Sequence, residues 1–471
     1  MKSSQRICAA TVLCVVALGL LLSGCNGIPT QGEKTAREQV KQVAAEYRPH
    51  DKKPALPVLT PESGLSNFLA YALLKHPNIE AAYYDWIASV QRITQARSFP
   101  DPQFTFQMDV QNAITSLMPG LMGNIPWPSK LRVGAAIAQA QSQAKYFAYK
   151  SAVLQTAFEL KRVYYHHHFL FERIRVNQEI LGLLDDMEKL ARAQNEVGKG
   201  TLQDVLRTQI EADRLRTEIT NLEDSHTSLM AEYKAALGMT PDDPFPPMPT
   251  HIEFTSLDVT SEQLLDTAFA QNQRLKGMES DIRAADAAIA LARKSRLPDF
   301  SLGFMGDAKT DPTLYRFPGN PGTMTLPIWR DKIAAQIAEA QANKRAAEAR
   351  LSAEQISLAV DFAQRTYQYR EAMRNLELLN NQLLPKARQS LEVARSAYLA
   401  GQIDFFNLLD SERTLLALQL DKVEASTQRE VVLAELSLII QGMSPVSAAM
   451  GGGGSKMGAS TATKKSGGSG M

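Results

Sequence analysis

Three consecutive histidines, His166, His167 and His168, are the densest run of metal-capable side chains in the sequence. Adjacent helical residues point about 100° apart, so one face of a helix presents a single imidazole of the three. The one His, Cys or carboxylate three or four residues further on is Glu172, four beyond His168. That spacing assembles no ligand set, and the sequence predicts no metal site here. Gly198-Lys199-Gly200-Thr201 has phosphate-loop composition but lacks the upstream glycine, the residue order and the preceding strand that such a loop needs. Met108, Met118, Met122, Met305 and Met324 could act as soft-metal ligands, but read more simply as lipid-facing or loop filler. There is no H-E-x-x-H, no G-x-S-x-G and no cysteine cluster. The expectation is a protein that is not an enzyme and has no cofactor. A formal charge of +1 over 471 residues gives no electrostatic case for nucleic acid.

The chemistry that does stand out is covalent and lies at the start. Lys2 and Arg6 precede an apolar run over residues 7–22, the form of a secretory signal. It ends in Leu22-Ser23-Gly24-Cys25, which resembles the lipobox cleaved by bacterial lipoprotein signal peptidase. The resemblance implies that Cys25 becomes the diacylated, palmitate-bearing first residue. Asn26 after it favours the outer membrane. Cys8 and Cys14 leave with the signal, so no cysteine remains for an internal disulfide. Residues 25–61 are polar, carry Pro49, Pro54, Pro57 and Pro61, and read as a tether from lipid to the folded body.

The elements beyond the tether come in one order, twice. Residues 65–98 carry apolar side chains at helical spacing, Leu69, Leu73, Ile79, Tyr83, Trp86 and Val90 among them. After Pro100 and Pro102 the period becomes two: Phe104, Phe106, Met108 and Val110 alternate with Gln103, Thr105, Gln107 and Asp109, as in a barrel strand between lipid and lumen. Residues 112–121 read as an outer loop, and Gly123, Ile125 and Trp127 as a short return strand. A helix of roughly 100 Å then runs over residues 129–196, with a coiled-coil seam at Val153, Ala157, Leu160 and Tyr164. It turns at Val197-Gly198-Lys199-Gly200-Thr201 and returns from Leu202 to about Leu237.

The second half repeats this. A helix over 261–296 aligns Ala268, Asn272 and Leu275 with Ala72, His76 and Ile79. A strand with Phe300, Leu302 and Phe304 leads through a loop to a return strand with Met324, Leu326 and Ile328. Trp329 and Lys332 mirror Trp127 and Lys130. The seam recurs at Ile356, Val360, Ala363 and Tyr367, and the tip at Leu399-Ala400-Gly401-Gln402-Ile403. The organisation is therefore a signal at 1–24, a lipidated tether at 25–61, repeats at 62–249 and 250–443, and a disordered Gly/Ser/Lys tail at 444–471.

Four membrane-type strands cannot close a barrel, since the smallest use about eight, and an open edge in lipid leaves backbone groups unpaired. Three copies would give twelve strands. The duplicated helix–strand–strand–helix–tip–helix unit behind a lipobox resembles the TolC-like outer-membrane efflux proteins, most clearly at Val197, Gly198, Thr201, Asp204 and Val205, and at Tyr398, Gly401 and Asp410. The resemblance implies a mainly α fold with a small β part. It implies a homotrimer with a twelve-strand outer-membrane barrel and a periplasmic α-barrel. It also implies tips that dock a periplasmic adaptor (a membrane fusion protein) of an inner-membrane pump of the resistance–nodulation–division type. By the same resemblance Asp204 and Tyr398 form a gate pair, a gate arginine of the family falls on Ile403, and Asp410 and Asn407 occupy two lumen-facing aspartate positions. A ring of Asp410 carboxylates would favour cations. The Pro126-Trp127-Pro128-Ser129-Lys130 entry looks like heavy-metal efflux members. The rival classes are a type I secretion duct and a periplasm-spanning lipoprotein that does not conduct.

Overall fold

The computed structural model describes residues 29–110, 114–198, 200–247, 261–305, 308–309 and 322–440. Its elements run α1 (Gln31–Tyr47), α2 (Leu65–Lys75), α3 (Pro77–Arg97), β1 (Gln103–Val110), β2 (Ile114–Ile125), α4 (Pro128–Glu196), α5 (Leu202–Ala236), α6 (Ser261–Gln271), α7 (Gln273–Lys294), β3 (Asp299–Met305), β4 (Ala308–Lys309), β5 (Thr323–Thr325), α8 (Arg330–Leu378), a π turn (Leu379–Leu383), α9 (Leu384–Leu399) and α10 (Phe405–Ile440). The segments divide into two compact units: residues 1–51, 84–146 and 277–352, and residues 52–83, 147–276 and 353–471.

The first unit holds an antiparallel sheet in the order β1-β2-β3-β5, with β4 also on β2. Cross-strand partners share a face. Phe104 lies opposite Leu121, Gly123 opposite Leu302, and Ile125 opposite Phe300, which faces Met324. On the other face Gln103 meets Met122 and Asn124 meets Ser301, which meets Thr323; the Ser301 hydroxyl donates to Asn124 Oδ1 at 2.6 Å. One face is thus apolar across all four strands of the path, and the other is mixed, with Gln103, Asn124, Ser301 and Thr323 beside Met122. Phe104, Leu121, Leu302 and Met324 are all exposed on the apolar side.

The expected outer loop at 112–121 is corrected: residues 114–121 continue β2 and pair with β1. This stretch includes Pro119. It falls between Ser116–Leu117, which pair with β4, and Gly120–Ile125, which pair with β3, where a missing N–H costs least. The return strand of the second repeat is shorter than expected, with Leu326 and Ile328 beyond its end.

The sheet is tied to the helices that flank it. Lys130 of α4 pairs with Asp299 of β3 at 2.8 Å, and the Trp127 N–H donates to the same carboxylate at 3.0 Å. Helix α3 packs on the start of α4 through Trp86 and Tyr146, whose ring centroids are 4.8 Å apart. The segment expected as a tether includes a docked helix. Thr30 caps α1 by accepting from the Glu33 N–H at 3.2 Å. The Glu33 side chain, 1% exposed, accepts from Thr94 at 2.7 Å and from Arg37 at 3.0 Å, and it also pairs with Arg97. Burial alone would raise this carboxyl, but these donors outweigh it and hold it at about 2. Pro49, Pro54, Pro57 and Pro61, the prolines that gave the tether reading, all follow α1.

Each helix expected at 65–98 and 261–296 is two. Pro77 cannot donate back into the first, so α2 ends at Lys75 and α3 restarts with Pro77 at its first position. The His76 Nδ1 caps α3 by accepting from the Asn78 N–H at 3.2 Å. At the aligned break, Asn272 Oδ1 accepts from Arg274 and Leu275 at 2.9 and 3.1 Å.

In the second unit Phe68 and Ala72 of α2, Leu160, Val163 and Tyr164 of α4, and Tyr233, Ala236 and Leu237 of α5 form one core with Val431 of α10. A second core joins Ala268 of α6, Phe362 of α8 and Val432, Leu436 and Ile440 of α10. Gly238 ends α5 with φ 68°, a left-handed turn that glycine adopts cheaply; a Cβ there would approach His76 Cα to 2.7 Å. The long helix of the second repeat carries Pro385. Its missing N–H and ring disrupt the preceding turn, and the chain answers with the π turn over Leu379–Leu383.

Candidate functional site: the paired helical tips

The two hairpin tips are built by one local rule. Helix α4 unwinds at Gly198 (φ 72°) and α9 at Gly401 (φ 71°). At the second tip the Gln402 N–H returns to Ala397 O at 2.9 Å and the Gly401 N–H to Tyr398 O at 3.0 Å, closing the last carbonyls of the helix. At the first, the Gly198 N–H returns to Asn195 O at 3.0 Å. Open space surrounds both glycines, so their conformation alone requires the residue type.

The helices leaving the tips are capped differently. Thr201 and Asp204 form a capping box: the Thr201 hydroxyl and N–H donate to Asp204 Oδ2 at 2.7 and 3.2 Å, and the Asp204 N–H donates to Thr201 Oγ1 at 3.3 Å. At the second tip Asp404 does this work, accepting from the Asn407 N–H at 3.0 Å. The position matching Asp204 is there Asn407, exposed beside the exposed Asp410.

An apolar cluster under the tips joins both hairpins: Leu184 and Met187 of α4, Ala212 of α5, Ala394 of α9, and Leu408 and Leu409 of α10. Tyr398, Ile403 and Phe405 pack against it, and the Tyr398 ring meets Phe405 at 6.1 Å edge-on. Arg413 of α10 pairs with Glu211 of α5 at 2.6 Å. The structure therefore brings Asp204 and Tyr398 to one place. Burial pushes the Tyr398 phenol up first, and the Asp204 charge adds to it. Ile403, where the family's arginine would stand, is an apolar plug of this cluster.

The tip surfaces are otherwise open. Val197 is 68% exposed, and Gly198, Thr201, Ala400, Gly401 and Gln402 are exposed with it, while Gly200 is half-buried. Lys199 and the side chain of Leu399 lie outside the described residues, as do Cys25 and the 444–471 tail. Sequence spacing missed one association: His167 faces His226 of the return helix at 3.4 Å, Nε2 to Nε2. Residues 59 apart share no local motif, and only the hairpin register could have paired them.

Among the described residues no helix is long and apolar enough to cross a membrane, and no group of three or more His, Cys, Asp or Glu could hold a metal. The duplicated hairpins and amphipathic sheet define a TolC-like fold. The chain resembles CusC, a protein described by its transmembrane channel formation, with a TM-score of 0.71 at 14% identity, over 83% of this chain and 98% of that one. It resembles the outer membrane protein VceC from Vibrio cholerae with a TM-score of 0.67 at 17% identity, over 82% and 96% of the two chains. The open state of the Neisseria gonorrhoeae MtrE outer membrane channel gives 0.68 at 14% identity, over 82% and 93%. No curated protein matches the sequence. Residues 264–441, within the second repeat, match the family described as outer membrane efflux protein.

Proposed function

We propose that this chain is the outer-membrane duct of a tripartite efflux system, a homotrimer that passively conducts substrates delivered by a periplasmic adaptor and an inner-membrane pump. The observation that carries the reading is the sheet. One of its faces is apolar across all four strands of the path while the other carries its polar side chains with Met122 among them, and its path ends at β1 and β5. In lipid those edges need partners, and two further copies supply them in a twelve-strand barrel.

The repeat symmetry supports the same assembly. Lys130 pairs with Asp299 between the first and second repeats of one chain. The corresponding residues, Lys332 and Asp101, are exposed, as they would be if each pairs across the boundary to the next copy. Lipid on Cys25 would anchor the trimer in the outer membrane. The exposed tips at 197–201 and 399–403 would receive the adaptor, with Asp204 and Tyr398 as the gate beneath them and Asp410 facing the lumen.

The test of function is growth of a strain lacking this gene on copper, silver, zinc, cobalt, dyes and antibiotics. Hypersensitivity relieved by the wild-type gene, but not by a Gly198→Val, Gly401→Val version that still reaches the outer membrane, is the expected result. Unchanged growth on the whole panel contradicts efflux. The gate is read in a planar bilayer: Tyr398→Phe with Asp204→Ala raises closed-state conductance, whereas Thr201→Ala, which removes only the cap, leaves it low.

A further inference from the structure

One pair of side chains lies outside everything assigned above. His167 on α4 and His226 on α5 meet across the first hairpin with their Nε2 atoms 3.4 Å apart, close enough for one ring N–H to donate to the other ring nitrogen. Phe171, one turn beyond His167, holds both rings: its centroid is 4.8 Å from that of His167 and, edge-on, 5.8 Å from that of His226. His167 is 6% exposed, while His226 is half-buried and Phe171 is half-exposed, so solvent reaches the pair from one side.

The separation is informative. An ion bound by imidazole nitrogens at about 2.0–2.1 Å with tetrahedral angles holds two of them about 3.3 Å apart. A right-angled pair would stand at about 2.9 Å and a linear one at about 4.1 Å with the same bond lengths. The form that binds metal is the neutral imidazole.

We infer that His167 and His226 form a two-histidine clamp for a tetrahedral divalent transition ion of the zinc class, one per chain, with solvent completing the coordination. Two protein ligands predict micromolar rather than structural-zinc affinity. A bound ion would staple the antiparallel helices of the first hairpin. The second repeat cannot copy the site, because the positions matching His167 and His226 at the offset of its tips are Arg370 and Arg429.

The experiment uses the purified full chain in detergent, titrated with zinc by calorimetry and with cobalt(II) as an optical probe of geometry. One ion per chain, a tetrahedral cobalt spectrum, and at least a tenfold loss of affinity in both His167→Ala and His226→Ala are expected. Far-UV circular dichroism establishes that each variant is folded; should the buried His167→Ala variant not fold, the outer His226→Ala variant decides. No zinc binding in the micromolar range, an octahedral cobalt spectrum, or affinity unchanged in His226→Ala overturns the site.

Discussion

The two long helices carry the same seam and bury it differently. In α4, Val153, Ala157, Leu160 and Tyr164 are buried, Leu160 completely. In α8 the corresponding Ile356, Val360, Ala363 and Tyr367 are exposed, Ile356 by 68%. What α8 buries within the chain is a different stripe, Leu358, Phe362 and Thr366. Identical periodicity therefore states that a face will be covered, but not by which molecule. The first seam is covered by the chain's own α2, α5 and α10. The second is left exposed within the chain, and in the proposed trimer a neighbouring copy would cover it.

The comparison breaks first at Ile356. In the proposed trimer, replacing it by Asp would put an unpaired charge into each boundary between copies, at several kcal/mol per site. The expected result is a folded monomer by light scattering with native circular dichroism; a trimer that survives sinks the neighbour-covered seam. Leu160→Ala acts on the other seam. It should lower the stability of the chain itself by about 4 kcal/mol through a core cavity, visible as a thermal shift that does not depend on protein concentration.

The third test concerns α1, which precedes the first repeat. Glu33 is held at about 2 against an ordinary 4.5. The docking strength it gives is complete above about pH 4.5 and is lost as pH falls toward 2. Proteolysis within residues 31–47 should accelerate across that window, before the helical signal falls. Glu33→Gln should remove about 3 kcal/mol of docking at neutral pH by leaving Arg97 without its buried partner, and should flatten the acid dependence. The smallest effect is at the repeat boundary. Asp101→Lys or Lys332→Asp alone should weaken the trimer by about 0.5 kcal/mol, and the double swap should restore it, read as the dissociation midpoint in rising detergent; singles and double that behave alike remove the proposed cross-boundary pair.

Much of this architecture was legible because it rests on local rules. The tips were readable from Gly198 and Gly401, whose left-handed turns need glycine. The repeat alignment was readable at Ala72 with Ala268, both fully buried, and at His76 with Asn272, both caps at a helix break. What failed were features decided by a second strand or helix. Residues 112–121 looked like a loop because the pairing of residues 114–121 is set by β1, β3 and β4. Pro385 gives no local sign of the π turn over Leu379–Leu383 that precedes it. The polar residues 31–47 looked like tether because Glu33 reads as a surface acid until Arg97 and Thr94 are placed beside it. The capping box of Thr201 and Asp204 was legible in type and spacing, whereas the proximity of Asp204 to Tyr398 required both hairpins to be folded.

The central claim is that three copies enclose one conducting passage. It is tested most directly by recording single channels from the purified full-length trimer in a planar bilayer. The account predicts discrete conductance steps from the trimer fraction and none from the Ile356→Asp monomer. A trimer that inserts into the bilayer and conducts nothing, even with the Tyr398→Phe, Asp204→Ala gate, would contradict it.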